Sequence, residues 1–357
     1  VDFSSAIPLV PVIRNLPAVP SPFDYVWFAL LLGLLVAICI KPQPRRLVVA
    51  FLALAGLLCL FDQMRCQPWF YQYSFMLAAF GFYAWRERRG KNNGAALNCC
   101  ALIIVAIYFW SGVQKLNASF INEVWPGMAE PLLRFLPGEF KSLPRLTALI
   151  VPLLEICIAL GLLTRRFRNA SVIAAIATHT VILALLISTG ENTVVWPWNI
   201  AMSLMVLILF WRNQENGARQ ILFPKHAFHA LVAILFGILP AFSLIGLWDS
   251  YLSSALYSGN NYRGVIYISQ PVMDRLPVAL HKYVWTDVQP MFLDTTLWAY
   301  GELNVPVYPE PRVFRRITEQ VCTYAERPSD VQLGLKEKPS VFTGIRETRY
   351  YDCDHLR

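Results

Sequence analysis

Apolar residues gather in eight runs, at 23–40, 47–61, 69–85, 95–113, 146–163, 170–189, 194–211 and 228–247. A helix that crosses a bilayer needs about 20 apolar residues, with about 17 as the usual lower limit. Six or seven of the runs meet that length. The second, of 15 residues, reaches it only if its flanks extend it, with Arg46 snorkelling and Asp62 at the surface. Past residue 247 the pattern changes. Arg263–Gln270 alternates like a strand, with Val265, Tyr267 and Ser269 on one face and Ile266 and Ile268 on the other. From Glu310 the chain reads as an amphipathic helix, with Pro311 at its first position and Phe314, Ile317, Val321 and Tyr324 as an apolar stripe. The pattern predicts an all-α polytopic membrane bundle of about eight transmembrane helices with a small C-terminal α+β extramembrane domain. The divisions are an extramembrane N-terminal segment at 1–22, a transmembrane helical domain at 23–247 and the C-terminal domain at 248–357.

Composition agrees. Of the 357 residues 56% are apolar and 15% charged, which argues against a wholly water-soluble chain and against disorder. Net charge is +8, and its placement orients the bundle: residues 1–247 hold 19 of the 31 Lys and Arg but only 10 of the 23 Asp and Glu. The loops after the first, third, fifth and seventh runs carry Lys41/Arg45/Arg46, Arg86/Arg88/Arg89/Lys91, Arg165/Arg166/Arg168 and Arg212/Arg219/Lys225. The loop after the second has only Arg65 and the loop after the sixth has no Lys or Arg. By the positive-inside rule the odd loops face the cytoplasm, and the N-terminus, the even loops and the tail lie outside. Basic residues confined to short loops give no nucleic-acid-binding face, so the expected surroundings are the lipid bilayer and no nucleic acid. The first run is read as a span and not as an uncleaved signal anchor, since no basic segment precedes it and no small-residue cleavage site follows.

Cys39, Cys59, Cys99, Cys100 and Cys157 fall within apolar runs and read as small buried hydrophobes. Cys322 and Cys353 lie in the exported tail, where a disulfide persists if it forms. Cys66 is left over as a free thiol near the outer surface. No zinc-type spacing occurs, and no metal is expected.

Chemistry is sought where polarity is most expensive, because ionisable groups inside hydrocarbon are rare unless used. Glu155 and His179 lie at a common depth of roughly 13–15 Å below the outer surface, on antiparallel runs joined by a short loop. They are expected to pair by hydrogen bonding, as a structural lock or as part of a polar pocket. Lys115 follows the fourth run at its outer end, and if the helix continues, Tyr108, Ser111 and Gly112 share its face at spacings of seven, four and three. Gly112 lets a neighbouring helix or a ligand come close. Lys115 is either a snorkelling anchor or an amine kept from water, and such an amine can serve as a base. Gln72 and Asn199 open towards the same outer level. So do Trp69, Tyr71, Tyr73, Trp110, Trp196 and Trp198, which suit an interfacial belt or the faces of a quinone-like ring.

The stretch Tyr108-Phe109-Trp110-Ser111-Gly112-Val113-Gln114-Lys115-Leu116-Asn117 resembles the Tyr-Phe-Ile-Ala-Gly-Val-Lys-Lys-Leu-Asp segment of the vitamin K-dependent γ-glutamyl carboxylase family. Leu153-Leu154-Glu155 is similar to that family's apolar run ending in an acidic residue, and Thr178-His179 falls where the next helix has a histidine. Pro68-Trp69-Phe70-Tyr71-Gln72-Tyr73 is similar to a Trp-Asn-Asn-His-Ser-Tyr segment, with Gln72 in place of the histidine. The likeness covers roughly residues 60–250 and extends to bacterial proteins with the horizontally transferred transmembrane domain. DoxX-like and MauE-like membrane proteins carry a comparable Gly-x-x-Lys-Leu at a helix end.

The resemblance implies a quinol cofactor such as menaquinol or vitamin K hydroquinone, deprotonated by Lys115 on the exported side. His179 and Glu155 would be the other catalytic residues, and Gln72, Tyr108, Gly112, Trp198 and Asn199 would form the cofactor site. It also implies a bacterial inner membrane, periplasmic termini, and a protein substrate or partner at the C-terminal domain. The competing expectation is a non-catalytic assembly or accessory subunit of the DoxX-like and MauE-like kind, docking a partner through its tail. A transporter is disfavoured, since neither an internal repeat nor a pair of broken helices is visible.

Overall fold

A computed structural model describes residues 7–13, 16, 22–41, 44–83, 94–133, 137, 143–190, 192–213, 217–224 and 226–356. Arg86, Arg88, Arg89, Lys91, Lys225 and the end of the third apolar run lie outside the described residues. The structure is 67% helical. Helices α1 (Phe23–Ile40), α2 (Arg45–Phe61), α3 (Pro68–Tyr83) and α4 (Gly94–Lys115) follow the first four runs, and α5 (Trp125–Leu133) and α6 (Leu143–Thr147) lie in the long loop after them. Then come α7 (Ile150–Leu163), α8 (Arg168–Thr189), α9 (Val195–Phe210), α10 (Ala218–Leu222) and α11 (Ala227–Val232), the last continued by a π-helical stretch at Ala233–Ile238 and a 3-10 stretch at Leu239–Ile245.

Among the described residues five helical segments are long and apolar enough to cross a membrane: Phe23–Ile40, Gly94–Lys115, Pro144–Leu163, Arg168–Ser188 and Ala227–Ile245. The other three runs form the shorter helices α2, α3 and α9, of 17, 16 and 16 residues. In α2 the extension expected of the flanks occurs at its start, where Arg45 and Arg46 enter the helix.

α4 is the centre of the bundle and packs against α3, α7, α9, α10 and α11. Small residues in its first half (Ala96, Cys99, Cys100, Ala101) let neighbours approach, and all four are buried. Near its tail-facing end Gly112 does the same: an added Cβ there would lie 2.6 Å from the Pro152 carbonyl oxygen and 2.7 Å from Ile156 Cγ1. The close neighbour that Gly112 admits is therefore α7, not a ligand. α1 packs on α2 and buries none of its own residues.

The tail forms a five-stranded antiparallel sheet in the order β2-β3-β1-β4-β5, from β1 (Arg263–Ile268), β2 (Val284–Trp285), β3 (Phe292–Leu293), β4 (Val331–Lys336) and β5 (Thr348–Asp352). Ile266 and Ile268, which alternation placed on one face, point into its core and meet the Phe314, Ile317 and Val321 stripe. That stripe belongs to α14 (Pro311–Val321), which packs on β1 and β4; α12 (Gln270–Arg275), α13 (Thr295–Leu303) and α15 (Cys353–Leu356) complete the domain. Cys322 and Cys353 are disulfide-bonded, and Cys66 is a free but buried thiol.

Tail and bundle share one apolar core, in which Met64, Leu186 and Val195 join Tyr251, Val307 and Tyr308. Polar ties reinforce it. Lys338 Nζ donates to Ser243 O and Oγ, each at 2.8 Å, and Ala118 N donates to Val341 O at 2.8 Å. Val12 N donates to Leu60 O and Gln63 N to Val10 O, both at 2.9 Å, which brings the N-terminal segment to the same end. The loops after α2, α4 and α8 thus meet the tail. The basic turns after α7 and α9 meet each other at the far end, where Arg168 donates to Leu162 O at 2.8 Å and to Asn213 O at 2.5 Å.

Candidate functional site

The tail-facing ends of α3, α4, α7, α8 and α9 enclose a cavity of about 110 Å³. One water needs roughly 10–15 Å³ by the same measure, so the space takes a ring rather than a single water. Tyr108, Ser111, Lys115, Glu155, His179, Trp198 and Asn199 all reach its wall. A π-helical stretch at Phe120–Val124 and the one at Ala233–Ile238 each contribute a ring, Phe120 and Phe236, and residues 251–257 close the cavity on the tail side. Such widened turns recur where a helix must re-aim a side chain.

Lys115 points inward. Its side chain is 9% exposed, and Nζ lies 2.8 and 2.7 Å from the two carboxylate oxygens of Glu155 and 2.5 Å from Ser111 Oγ. Its three N–H bonds therefore all have acceptors, and the anchor reading of this lysine is lost. A buried pair of this kind offsets two desolvation penalties only because both charges are hydrogen-bonded at short range.

The expected Glu155–His179 pair does not form. His179 lies between Tyr108 and Asn199, with Nε2 2.6 Å from Tyr108 OH and Nδ1 2.8 Å from Asn199 Oδ1. Asn199 Nδ2 donates to Val195 O at 2.8 Å, so its Oδ1 accepts from His179. The network thereby assigns the proton to Nδ1 and makes Nε2 the acceptor from Tyr108. Depth placed the two groups correctly, but rotation about the helix axes gave them different partners.

Gln72 is fully buried behind the wall. Its Oε1 accepts from Trp198 Nε1 at 2.8 Å, and its Nε2 meets the sulfurs of Met202 and Met205 at 3.2 and 3.3 Å. It holds the indole that faces the cavity. Gly112 sits at the α4–α7 contact described above.

Other participants lay beyond sequence reasoning. Tyr251 and Tyr257 line the cavity from the tail side. The end of α4 is pinned by Asn260, which donates to Gln114 Oε1 at 2.7 Å, and by Asn117, which donates to Ser258 O at 2.8 Å. In the sequence this segment carries the turn punctuation Gly259-Asn260-Asn261, which marks a loop and no destination. Among the described residues no cluster of three or more metal-ligating side chains occurs.

Compared with known protein families, with curated proteins and with solved structures, the chain matches none of them.

Proposed function

We propose that the chain is a quinol-using integral membrane enzyme of the bacterial inner membrane, akin to the γ-glutamyl carboxylase-like and horizontally-transferred-transmembrane-domain proteins that its α4 motif resembles. In this reading α2, α3 and α9 also span, giving about eight crossings, and both termini and the tail side of the cavity are periplasmic. The supporting arrangement is the separation of the basic turns from the tail-facing loops.

One observation carries the reading: the Lys115 amine is buried at the wall of a ring-sized chamber, held by Glu155 and Ser111. A quinol is an apolar ring with hydroxyls at its edge. The chamber offers the indole of Trp198 and the ring of Tyr71 as flat apolar walls, and two polar stations, Lys115–Glu155 and His179–Tyr108. When bound, such a group supplies a weakly acidic hydroxyl and reducing electrons. Glu155 is the member of the pair that takes a proton, while Lys115 supplies the positive charge that a deprotonating oxygen needs nearby. The acceptor is thus the pair and not a lone amine. Because every N–H of Lys115 has a partner, a ligand oxygen engages it by displacing Ser111 or one carboxylate oxygen. Tyr108, donating to His179, turns its own oxygen lone pairs towards the chamber.

Thermal shift with menaquinol and with vitamin K hydroquinone tests this, comparing wild type with Lys115→Met/Glu155→Leu, which removes the pair without stranding a charge. The expected result is a rise in Tm for wild type and none for the double variant. No rise with either quinol would instead support a non-catalytic DoxX-like or MauE-like accessory protein whose tail docks a partner.

A further inference from the structure

A chamber closed by residues 251–257 that handles hydroxyl protons needs a way to pass them to water, and the tail supplies a candidate. Tyr71, on the cavity wall, has its OH 2.9 Å from Tyr308 OH. Tyr308 OH donates in turn to Asp249 Oδ1 at 2.5 Å. Because Tyr308 spends its one proton on Asp249, the proton between the two phenols belongs to Tyr71, and the chain has a single direction from cavity to carboxylate. Asp249 is where the chain meets water: its side chain is 13% exposed, and Arg312, 2.7 Å away, is 51% exposed. Tyr308 itself is 1% exposed, so water does not short-circuit the middle of the chain.

We propose that Tyr71, Tyr308 and Asp249 form a proton relay between the buried cavity and the outer aqueous surface, serving a hydroquinone-class ligand. The proposal rests on the quinol reading above. In one passage Tyr71 oxygen gains a proton from the cavity as its own passes to Tyr308. The Tyr308 proton passes to Asp249, and Asp249 releases it to water beside Arg312. Each oxygen that gains an O–H bond loses another, so both phenols end neutral. Burial, followed by the charge of Asp249, drives the Tyr308 phenol far above its ordinary value, which keeps it protonated and favours hopping over a tyrosinate. The groups around the chain are Cys66, hydrogen-bonded to Tyr71, and Arg312, Glu310 and Lys338 around Asp249. The relay crosses from bundle to tail, which gives the docked tail a role in the chemistry.

The test mixes menadiol with purified full-length protein in lightly buffered solution at neutral pH. Ring binding is followed by tryptophan fluorescence and proton release by a pH dye, for wild type, Tyr308→Phe and Tyr71→Phe. The expected result is an unchanged Kd for Tyr308→Phe, which lies off the cavity wall, with proton release slowed at least tenfold in both variants, and a solvent deuterium effect on release in wild type. A purely packing role would alter binding or Tm and leave that isotope effect alone. Release at the wild-type rate in the variants, or binding without release in wild type, overturns the relay and leaves quinol binding standing. Absence of menadiol binding in wild type overturns the quinol reading and the relay together. If Tyr308→Phe does not fold, Asp249→Asn takes its place with the same expected slowing.

Discussion

Helices α1 and α4 look alike as strings of apolar residues. Their most apolar windows have mean hydropathies of 2.3 and 2.0, yet 0% of the first and 61% of the second is buried. Hydropathy measures what a segment costs to leave in water, and lipid and protein interior satisfy it equally. What separates the two helices is the placement of small and polar residues. α4 carries Gly112 where α7 crosses, and Tyr108, Ser111, Gln114 and Lys115 at the end where the cavity forms. α1 is apolar on every side and meets little but α2. In a bundle of near-uniform hydropathy, the expensive residues identify the helix around which the others assemble.

The strongest way to break this contrast is to remove the countercharge of α4. Glu155→Ala leaves Lys115 buried without its carboxylate and should cost about 3–5 kcal/mol. Lys115→Met/Glu155→Leu, which removes both charges at similar volume, should fall within about 1 kcal/mol of wild type or exceed it. Thermal or denaturant unfolding in detergent reads both. A single variant no less stable than the double one would show that the two groups do not compensate each other.

A smaller effect compares two glycines. Gly112→Ala puts a Cβ 2.6 Å from the Pro152 carbonyl oxygen, a backbone atom that cannot swing aside. Overpacking of this kind should cost about 1–3 kcal/mol despite alanine's better helix propensity. Gly33 of α1 has nothing within 4 Å of the same added atom, so Gly33→Ala should be neutral or gain up to about 1 kcal/mol. Equal Tm changes in the two variants would remove Gly112 from its place as the α4–α7 contact.

The sequence made these features unequally legible. Apolar runs located the helices within a few residues, and alternation at Arg263–Gln270 found β1, which ends at Ile268, and separated its two faces without saying which is buried. Periodicity also brought Tyr108, Ser111 and Lys115 together, because i, i+3 and i+7 share a helix face. It mispaired Glu155, because depth fixes a residue along the bundle axis and says nothing of rotation about it. Helix side chains lean towards the N-terminus, so Lys115 reaches back from the tail-facing end of α4 to the level of Glu155, where His179 alone was expected. Tyr251, Tyr257, Tyr308 and Asp249 carry no periodic signal at all. Their approach to the cavity depends on how a tail more than a hundred residues downstream docks, which is a tertiary fact.

The rule that buried polarity is costly unless paired applies at the tail junction too, and there pH reads it. Glu310 Oε1 accepts from Ser250 N at 2.8 Å in a buried position. Burial first, then the like charge of Asp249, raise its carboxyl above the ordinary 4.5, against the backbone hydrogen bond and Lys338. Arg312 stands 3.8 Å away. A carboxyl with a raised folded-state value binds its proton more tightly folded than unfolded. Its contribution is therefore fully present below about pH 4.5 and is lost as pH rises through the raised value. Glu310→Gln keeps an acceptor for Ser250 and removes the titration. Tm followed from pH 4 to pH 8 should show wild type losing ground to the variant as pH rises, the smallest of these effects because only the slope changes. Parallel curves would mean that the junction tolerates the carboxylate without cost, and that the penalty so visible at Lys115 belongs to the apolar interior of the bundle alone.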